Sequence, residues 1–119
     1  ELPRFDEERY AADGSYRFVY AMSVRADQPR GFYNQLAKFD LRGGPTLVWH
    51  ERDCFPGEPV FVGAPGRSAE DDGVVLSLVL DAARGLSFLL VLDAQSFAEC
   101  ARAELPHAVL HGYHGNFFA

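Results

Sequence analysis

The chain has 119 residues, of which 48% are hydrophobic, with 11 basic and 17 acidic side chains and a formal net charge of −6 at pH 7. This length suits one small domain, residues 1–119, with enough apolar material for a core. The acidic balance and the lack of any basic run argue against a nucleic-acid binder, which needs a basic face for the phosphates.

The first half of the chain predicts three strands separated by turns. Residues 1–15 are polar and irregular and end in a turn former at 13–15. Aromatic and β-branched residues predict a strand over 16–24, and alternating apolar and polar residues predict a second over 36–41. After a turn at 42–45, a return strand is expected over 46–51.

The second half repeats this pattern with more apolar strands. A loop at 52–57 leads into a strand over 58–62, where Pro59 requires an edge or first position. Strands over 74–80 and 87–92 are nearly continuously apolar, so we expect both of their faces to be covered. A short turn or helical loop at 93–97 precedes the last strand, over 99–105.

These elements predict an all-β antiparallel meander, since no long amphipathic helix interrupts the strands. The pattern of strand, tight turn and strand is typical of a β-propeller blade, with 38–41 and 90–94 as equivalent strands of successive blades. The chain holds about two blades of roughly four strands each. Two blades cannot close a ring, so we expect a fragment of a longer propeller.

Cysteine spacing and hydropathy indicate the cellular compartment of the protein and whether a helix crosses a membrane. Cys54 and Cys100 are far apart and form no closely spaced pair, which favours reduced thiols in a cytoplasmic protein over a single disulfide. No apolar run approaches the roughly 20 residues of a transmembrane helix.

Two acidic positions are candidates for chemistry. Glu58 lies between Gly57 and Pro59, where its carboxylate could hydrogen-bond a metal-ligand imidazole and fix its tautomer. Its position alone favours a solvated loop glutamate. The acidic segment 70–73 lacks the ligand spacing of a calcium loop. It predicts a turn in which Gly73 supplies a positive φ.

Three of the four histidines lie near the end of the chain, at His107, His111 and His114. On a helix these three would share one face, but a proline and two glycines among them disfavour a helix. We interpret His50 as a surface residue and His107 as a loop residue. The glycines on either side of His114 permit a close backbone approach, and for this residue a buried structural role and metal ligation remain equally open.

Five segments in a fixed order carry a family resemblance. Together they resemble the C-terminal part of the carotenoid oxygenase family, which includes carotenoid and apocarotenoid cleavage dioxygenases, lignostilbene dioxygenases and the retinal-pigment-epithelium isomerase. The segments are 55–62, 70–77, 90–94, 101–106 and 112–115.

The resemblance implies a seven-bladed β-propeller with Fe(II) on its axis, bound by four histidines. His114 matches the last iron ligand, while the other three ligands would lie upstream of Glu1. Glu58 matches a glutamate that supports a ligand histidine, and Glu1 gives a shorter match to a second such glutamate. His111 stands where an apolar or aromatic residue is usual, and Leu110 where proline is common.

The implied activity is oxidative cleavage of a conjugated carbon–carbon double bond by O₂, in an apolar polyene or stilbenoid substrate. The segment would need the rest of the propeller as its partner, and alone we expect it to be inactive. Family members reach lipophilic substrates through apolar surface patches, so we also expect peripheral membrane contact, with the patch upstream.

Two alternatives come from other classes of protein. One is a non-enzymatic β-propeller or β-sandwich module that binds a partner through an exposed sheet edge. The other is a local zinc site made by His107, His111 and His114, which would need no upstream residue.

Overall fold

Nearly all of the regular structure is β-strand. A computed structural model describes residues 1–28 and 31–118, so the end of the predicted polar loop at 25–30 lies outside the described residues. One short helix, α1 (Glu7–Tyr10), precedes eight strands. These are β1 (Phe18–Ser23), β2 (Gln35–Asp40), β3 (Leu47–Trp49), β4 (Cys54–Pro56), β5 (Val60–Gly63), β6 (Gly73–Asp81), β7 (Leu86–Asp93) and β8 (Glu99–Glu104).

The first sheet is an antiparallel meander in the order β1–β2–β3. Tyr20 of β1 faces Lys38 of β2, and Leu36 of β2 faces Trp49 of β3. Arg4 adds a single-residue bridge to Tyr20, with both backbone hydrogen bonds at 2.7 Å. Because the backbone of Tyr20 points away from β2 at this position, the segment before α1 continues the sheet beyond β1.

The second sheet is also a meander, from β6 to β7 to β8, with β4 and β5 both paired to the other side of β6. Pro56 faces Val79 and Val60 faces Leu76, so residues 57–59 oppose only residues 77–78. This mismatch is a β-bulge, which bends a strand and redirects the side chain at that point. The broken strand β4–β5 is therefore the first strand of a four-strand blade.

The core lies where the two sheets pack together. Its side chains with almost no exposed surface include Tyr20, Leu36, Val75, Val79, Phe88, Leu90 and Leu92. The Tyr20 ring stacks on Phe61 at 5.5 Å and on Phe97 at 6.2 Å, joining β1 to the second sheet. Such burial of apolar and aromatic surface is the main stabilising term for a sheet pair.

A charged clamp also joins the sheets. The Lys38 ammonium lies 2.6 Å from Asp71 Oδ2 and donates to the carbonyl of Ala94 at 2.7 Å. Glu70 accepts hydrogen bonds from the backbone N–H groups of Arg17 and Phe18, at 2.7 and 2.8 Å. The acidic segment therefore fastens the second sheet to the first.

The structure corrects the expectation for Gly73. This glycine is not among the residues with positive φ, and it begins β6 after a turn at 70–71. A Cβ on Gly73 would lie 2.2 Å from the carbonyl oxygen of Val62. A close backbone approach, rather than a left-handed conformation, is the reason for glycine here.

The all-β antiparallel prediction is confirmed, and seven predicted strands match observed ones within a few residues. The prediction of a loop at 52–57 was wrong, because β4 forms there by pairing with the long strand β6. The predicted irregular start contains α1, whose first turn is capped by Asp6. Cys54 is buried and Cys100 exposed, both as free thiols. Among the described residues, no helix has the length and apolar character to cross a membrane.

Candidate metal centre

Glu58 and His114 lie in contact. Oε1 of Glu58 is 3.1 Å from Nδ1 of His114, and Oε2 accepts a hydrogen bond from the backbone N–H of Gly115 at 2.8 Å. The Glu58 side chain is only 4% exposed, whereas that of His114 is 75% exposed. A buried carboxylate therefore supports an imidazole whose other side faces outward.

The bulge between β4 and β5 positions Glu58. The Gly57 N–H donates to the carbonyl of Leu78 at 2.8 Å, and the Ser77 hydroxyl donates to the carbonyl of Gly57 at 2.9 Å. Pro59 follows and is fully buried. The carboxylate thus follows a glycine whose N–H and carbonyl are both hydrogen-bonded to β6, at the edge of the second sheet.

The segment after β8 brings His114 to this edge. The Leu105 N–H donates to the carbonyl of Ser87 at 2.8 Å, and the Val109 N–H donates to the hydroxyl of Ser87 at 2.9 Å. The chain then passes along the sheet without regular structure until it reaches Glu58. Gly112 and Gly115 take no positive φ, and an added Cβ would meet open space among the described residues, so close packing does not require them.

Arg4 completes the contacts around Glu58. Its Nη1 lies 3.3 Å from Glu58 Oε2 and donates to the carbonyl of Gly115 at 2.9 Å, while its Nε donates to Glu7 at 2.8 Å. Burial raises the pKa of Glu58, but the hydrogen bonds from Gly115 and His114 and the charge of Arg4 outweigh it. The net pKa of Glu58 lies below its ordinary value.

This electrostatic setting fixes the chemistry of the imidazole. An ionised carboxylate can only accept a hydrogen bond, so the proton on neutral His114 resides on Nδ1. The lone pair on Nε2 is then free to bind a metal ion, in the carboxylate–histidine–metal arrangement common in metalloproteins.

An open cleft of about 690 Å³ lies in front of these residues. Its wall includes Glu1, Leu2, Glu58 and His114. The carbonyl of Glu1 accepts a hydrogen bond from Met22 at 3.0 Å. No hydrogen bond joins the Glu1 carboxylate to any histidine within the described ranges. Glu1 therefore shares the cleft with Glu58 and His114, and its expected role as the support of a histidine upstream of this chain stays a prediction.

The other histidines have separate surroundings. His50 is half-buried and its Nδ1 lies 2.8 Å from the carbonyl of Asn34, so it is tied to the backbone. His107 is exposed in the loop after β8, as predicted. The His111 ring stacks on Phe32, with ring centroids 5.4 Å apart. Across residues 1–28 and 31–118, no three potential ligand side chains cluster for a metal ion, so the local zinc site is not formed.

A more apolar pocket of about 370 Å³ adjoins the cleft and shares Glu1 and Leu2 with it. Most of its wall is apolar or aromatic. The lining includes Met22, Phe32, Tyr33, Pro56, His111 and Tyr113. Such a lining suits an apolar ligand with few hydrogen-bonding groups.

Sequence reasoning missed Arg4 and the backbone of Gly115. Arg4 lies in a polar stretch with no periodic pattern, and its partners are far away in the sequence. Only the pairing of Arg4 with Tyr20 in the folded sheet brings it to Glu58.

Comparisons with known proteins extend along the whole chain. The family model described as retinal pigment epithelial membrane protein matches residues 1–119. Human beta,beta-carotene 15,15'-dioxygenase is 44% identical over 117 residues, covering 94% of this chain and 20% of the relative. Carotenoid cleavage dioxygenase 8 of Arabidopsis thaliana, a chloroplastic protein, is 45% identical over 100 residues, or 84% of this chain and 17% of the relative. The chain thus spans about a fifth of the length of these relatives.

Solved structures agree with the sequence comparison. Cobalt-substituted apocarotenoid oxygenase of Synechocystis superposes with a TM-score of 0.87 at 31% identity, covering 96% of this chain and 24% of that structure. A chimera of that oxygenase with the retinal pigment epithelial protein gives a TM-score of 0.88 at 28% identity, over 98% and 24%. These neighbours are seven-bladed propellers, and 24% of such a chain corresponds to slightly less than two blades.

Proposed function

Because the chain belongs to the carotenoid oxygenase family, we propose that it forms the C-terminal part of an Fe(II)-dependent dioxygenase. The whole protein cleaves a conjugated double bond of a carotenoid, apocarotenoid or stilbenoid with O₂. The relatives named above are carotenoid dioxygenases, which supports the reaction class.

The contact between Glu58 and His114 carries the proposal. It gives the chain one imidazole whose Nδ1 faces a buried carboxylate, which fixes the ring orientation and leaves Nε2 for a metal ion. Imidazole suits iron as a ligand, so the donor fits the metal. Since no fuller ligand cluster forms within the described residues, His114 supplies one ligand to a site that other segments complete.

Iron in such a site, when bound, supplies the redox chemistry that activates O₂ toward the double bond. The residues of this chain orient the ligand imidazole and enclose the substrate. Glu58 holds the imidazole in one tautomer. The apolar pocket beside the cleft holds an unsaturated chain and keeps water away from it, with Leu2 at the boundary between pocket and cleft.

We further propose that the enzyme acts in the cytoplasm and takes up its substrate by peripheral membrane contact, because polyenes partition into lipid. The isolated segment is inactive in this proposal, because it holds one ligand of the set and leaves sheet edges unpaired.

The test uses the full-length protein, loaded anaerobically with Fe(II) and given ¹⁸O₂ with a carotenoid, an apocarotenoid or a stilbenoid. We expect two shorter carbonyl products that carry ¹⁸O, detected by mass spectrometry. The iron-free protein is the control and should leave the substrate intact. Recovery of uncleaved substrate, or of a geometric isomer alone, from the loaded enzyme would contradict the proposal.

A further inference from the structure

We propose that Arg4 is a positioning residue for the metal centre, through its ion pair with Glu58 and its hydrogen bond to the peptide next to His114. This inference rests on the proposed function. The described hydrogen bonds and ion pairs of the Arg4 side chain go to Glu7, Gly115 and Glu58 and not to the His114 ring. Arg4 comes from the first sheet, whereas Glu58 belongs to the second.

Arg4 is held by hydrogen bonds from both its backbone and its side chain. Its backbone N–H and carbonyl both bond to Tyr20 at 2.7 Å, and its Nε donates to Glu7 at 2.8 Å. Only 15% of the side chain is exposed. A guanidinium held in this way loses little additional freedom when it makes further bonds, so it can act as a rigid support.

The remaining end of the guanidinium meets two partners. Nη1 donates to the carbonyl of Gly115 at 2.9 Å and lies 3.3 Å from Oε2 of Glu58. The N–H of Gly115 donates to the same Oε2 at 2.8 Å. Glu58 therefore holds Gly115 by its N–H, while Arg4 holds it by its carbonyl. Since Gly115 directly follows His114, both contacts fix the backbone that carries the imidazole.

The same contacts give the two oxygens of the Glu58 carboxylate different partners. Oε2 is occupied by Gly115 and Arg4, which leaves Oε1 for Nδ1 of His114. Without the guanidinium, Oε2 loses its charged partner and the carboxylate can rotate. Lysine would keep the charge but not the planar fork that reaches Glu7, Gly115 and Glu58 at once.

The experiment is a double-mutant cycle in the full-length protein with Co(II) as the probe. The four forms are wild type, R4M, E58Q and R4M/E58Q, and R4K is added as the conservative variant. Co(II) affinity is measured by chelator competition, and the visible Co(II) absorption reports the ligand geometry. R25M is the matched control, because Arg25 pairs with Asp27 on the exposed surface away from the cleft.

We expect R4M to weaken Co(II) binding about 3- to 10-fold and to alter the Co(II) absorption, with R4K in between and R25M unchanged. E58Q should lose about 5- to 30-fold, because the amide replaces a charged hydrogen bond to the imidazole by a neutral one. The double variant should lose little more than E58Q, because Arg4 acts largely through Glu58. Unchanged binding and absorption in R4M, or losses that multiply in the double variant, would overturn the role of Arg4.

The wild-type arm separates this inference from the proposed function. If wild type binds no Co(II), the metal centre itself is wrong and the role of Arg4 falls with it. If wild type binds Co(II) and R4M matches it, only Arg4 is wrong. Should R4M fail to fold, R4K decides: wild-type affinity and absorption in R4K would reject the need for the fork.

Discussion

Replacing Glu58 with glutamine tests how much the buried carboxylate contributes to the imidazole. The amide has nearly the same shape, but only one of its two polar atoms accepts hydrogen bonds. In the structure Oε1 faces Nδ1 of His114 and Oε2 accepts from Gly115. An amide satisfies one of these donors and turns its NH₂ toward the other. In either orientation the amide removes the negative charge that Arg4 faces at 3.3 Å.

The size of the effect follows from the change in hydrogen-bond type. A bond to a charged group contributes about 1.5–3 kcal/mol and a neutral one about 0.5–1.5 kcal/mol, so the substitution costs roughly 1–2 kcal/mol of support for the imidazole. At about 1.4 kcal/mol per factor of ten, metal binding should weaken roughly 5- to 30-fold.

The assay is anaerobic competition for Fe(II) between the full-length enzyme and a chelator. Glu104→Gln is the matched control, because Glu104 pairs with Arg84 on the surface and its side chain is 56% exposed. The control should bind iron like the wild type. Wild-type iron affinity in Glu58→Gln would refute the argument that Glu58 supports a ligand.

Three further substitutions or measurements probe other parts of the account. Lys38→Met removes the buried partner of Asp71 and should lower the free energy of unfolding by about 3–5 kcal/mol in urea titrations of the full-length protein. A loss below about 1 kcal/mol would contradict the role of the Lys38–Asp71 pair in joining the two sheets. Burial raises the pKa of the Cys54 thiol to about 12, so the thiol is protonated at pH 8. Peptide mapping should find Cys54 unalkylated by iodoacetamide at pH 8 in the folded protein and alkylated in urea, and rapid labelling of the folded protein would count against this burial. His111→Phe keeps an aromatic ring against Phe32 but removes a hydrogen-bonding group from the apolar pocket. The ratio of kcat/KM for hydrocarbon substrates to kcat/KM for hydroxylated ones should therefore rise about 2- to 10-fold, with equal iron content. An unchanged ratio would place His111 outside the substrate path.

Local patterns in the sequence were enough to predict most strands. Alternation over 36–41 and the apolar runs over 74–80 and 87–92 depend on neighbouring residues, and β2, β6 and β7 appear there. β4 was missed because Cys54–Pro56 is short and contains proline, and it exists only as a partner of β6. Strand pairing of this kind depends on distant residues, so a local pattern does not reveal it.

In the candidate site, too, local sequence predicts some features and only the tertiary fold reveals others. Glu58 and His114 carry family motifs, and the structure brings them together. The support behind them is a product of tertiary geometry. The bulge at 57–59 appears only when two strands share β6, and Arg4 reaches Glu58 only because its backbone pairs with Tyr20. For Gly73, the residue type was informative but the reason was misjudged, because the close carbonyl belongs to a neighbouring strand.

The central claim is that His114 binds iron, and the iron content of the His114→Ala variant of the full-length protein tests it most directly. The variant is purified beside the wild type, with folding checked by circular dichroism and iron measured by elemental analysis. If His114 is an iron ligand, the wild type should hold stoichiometric iron and a folded His114→Ala variant should lose most of it. A folded His114→Ala protein that retains wild-type iron would contradict the claim.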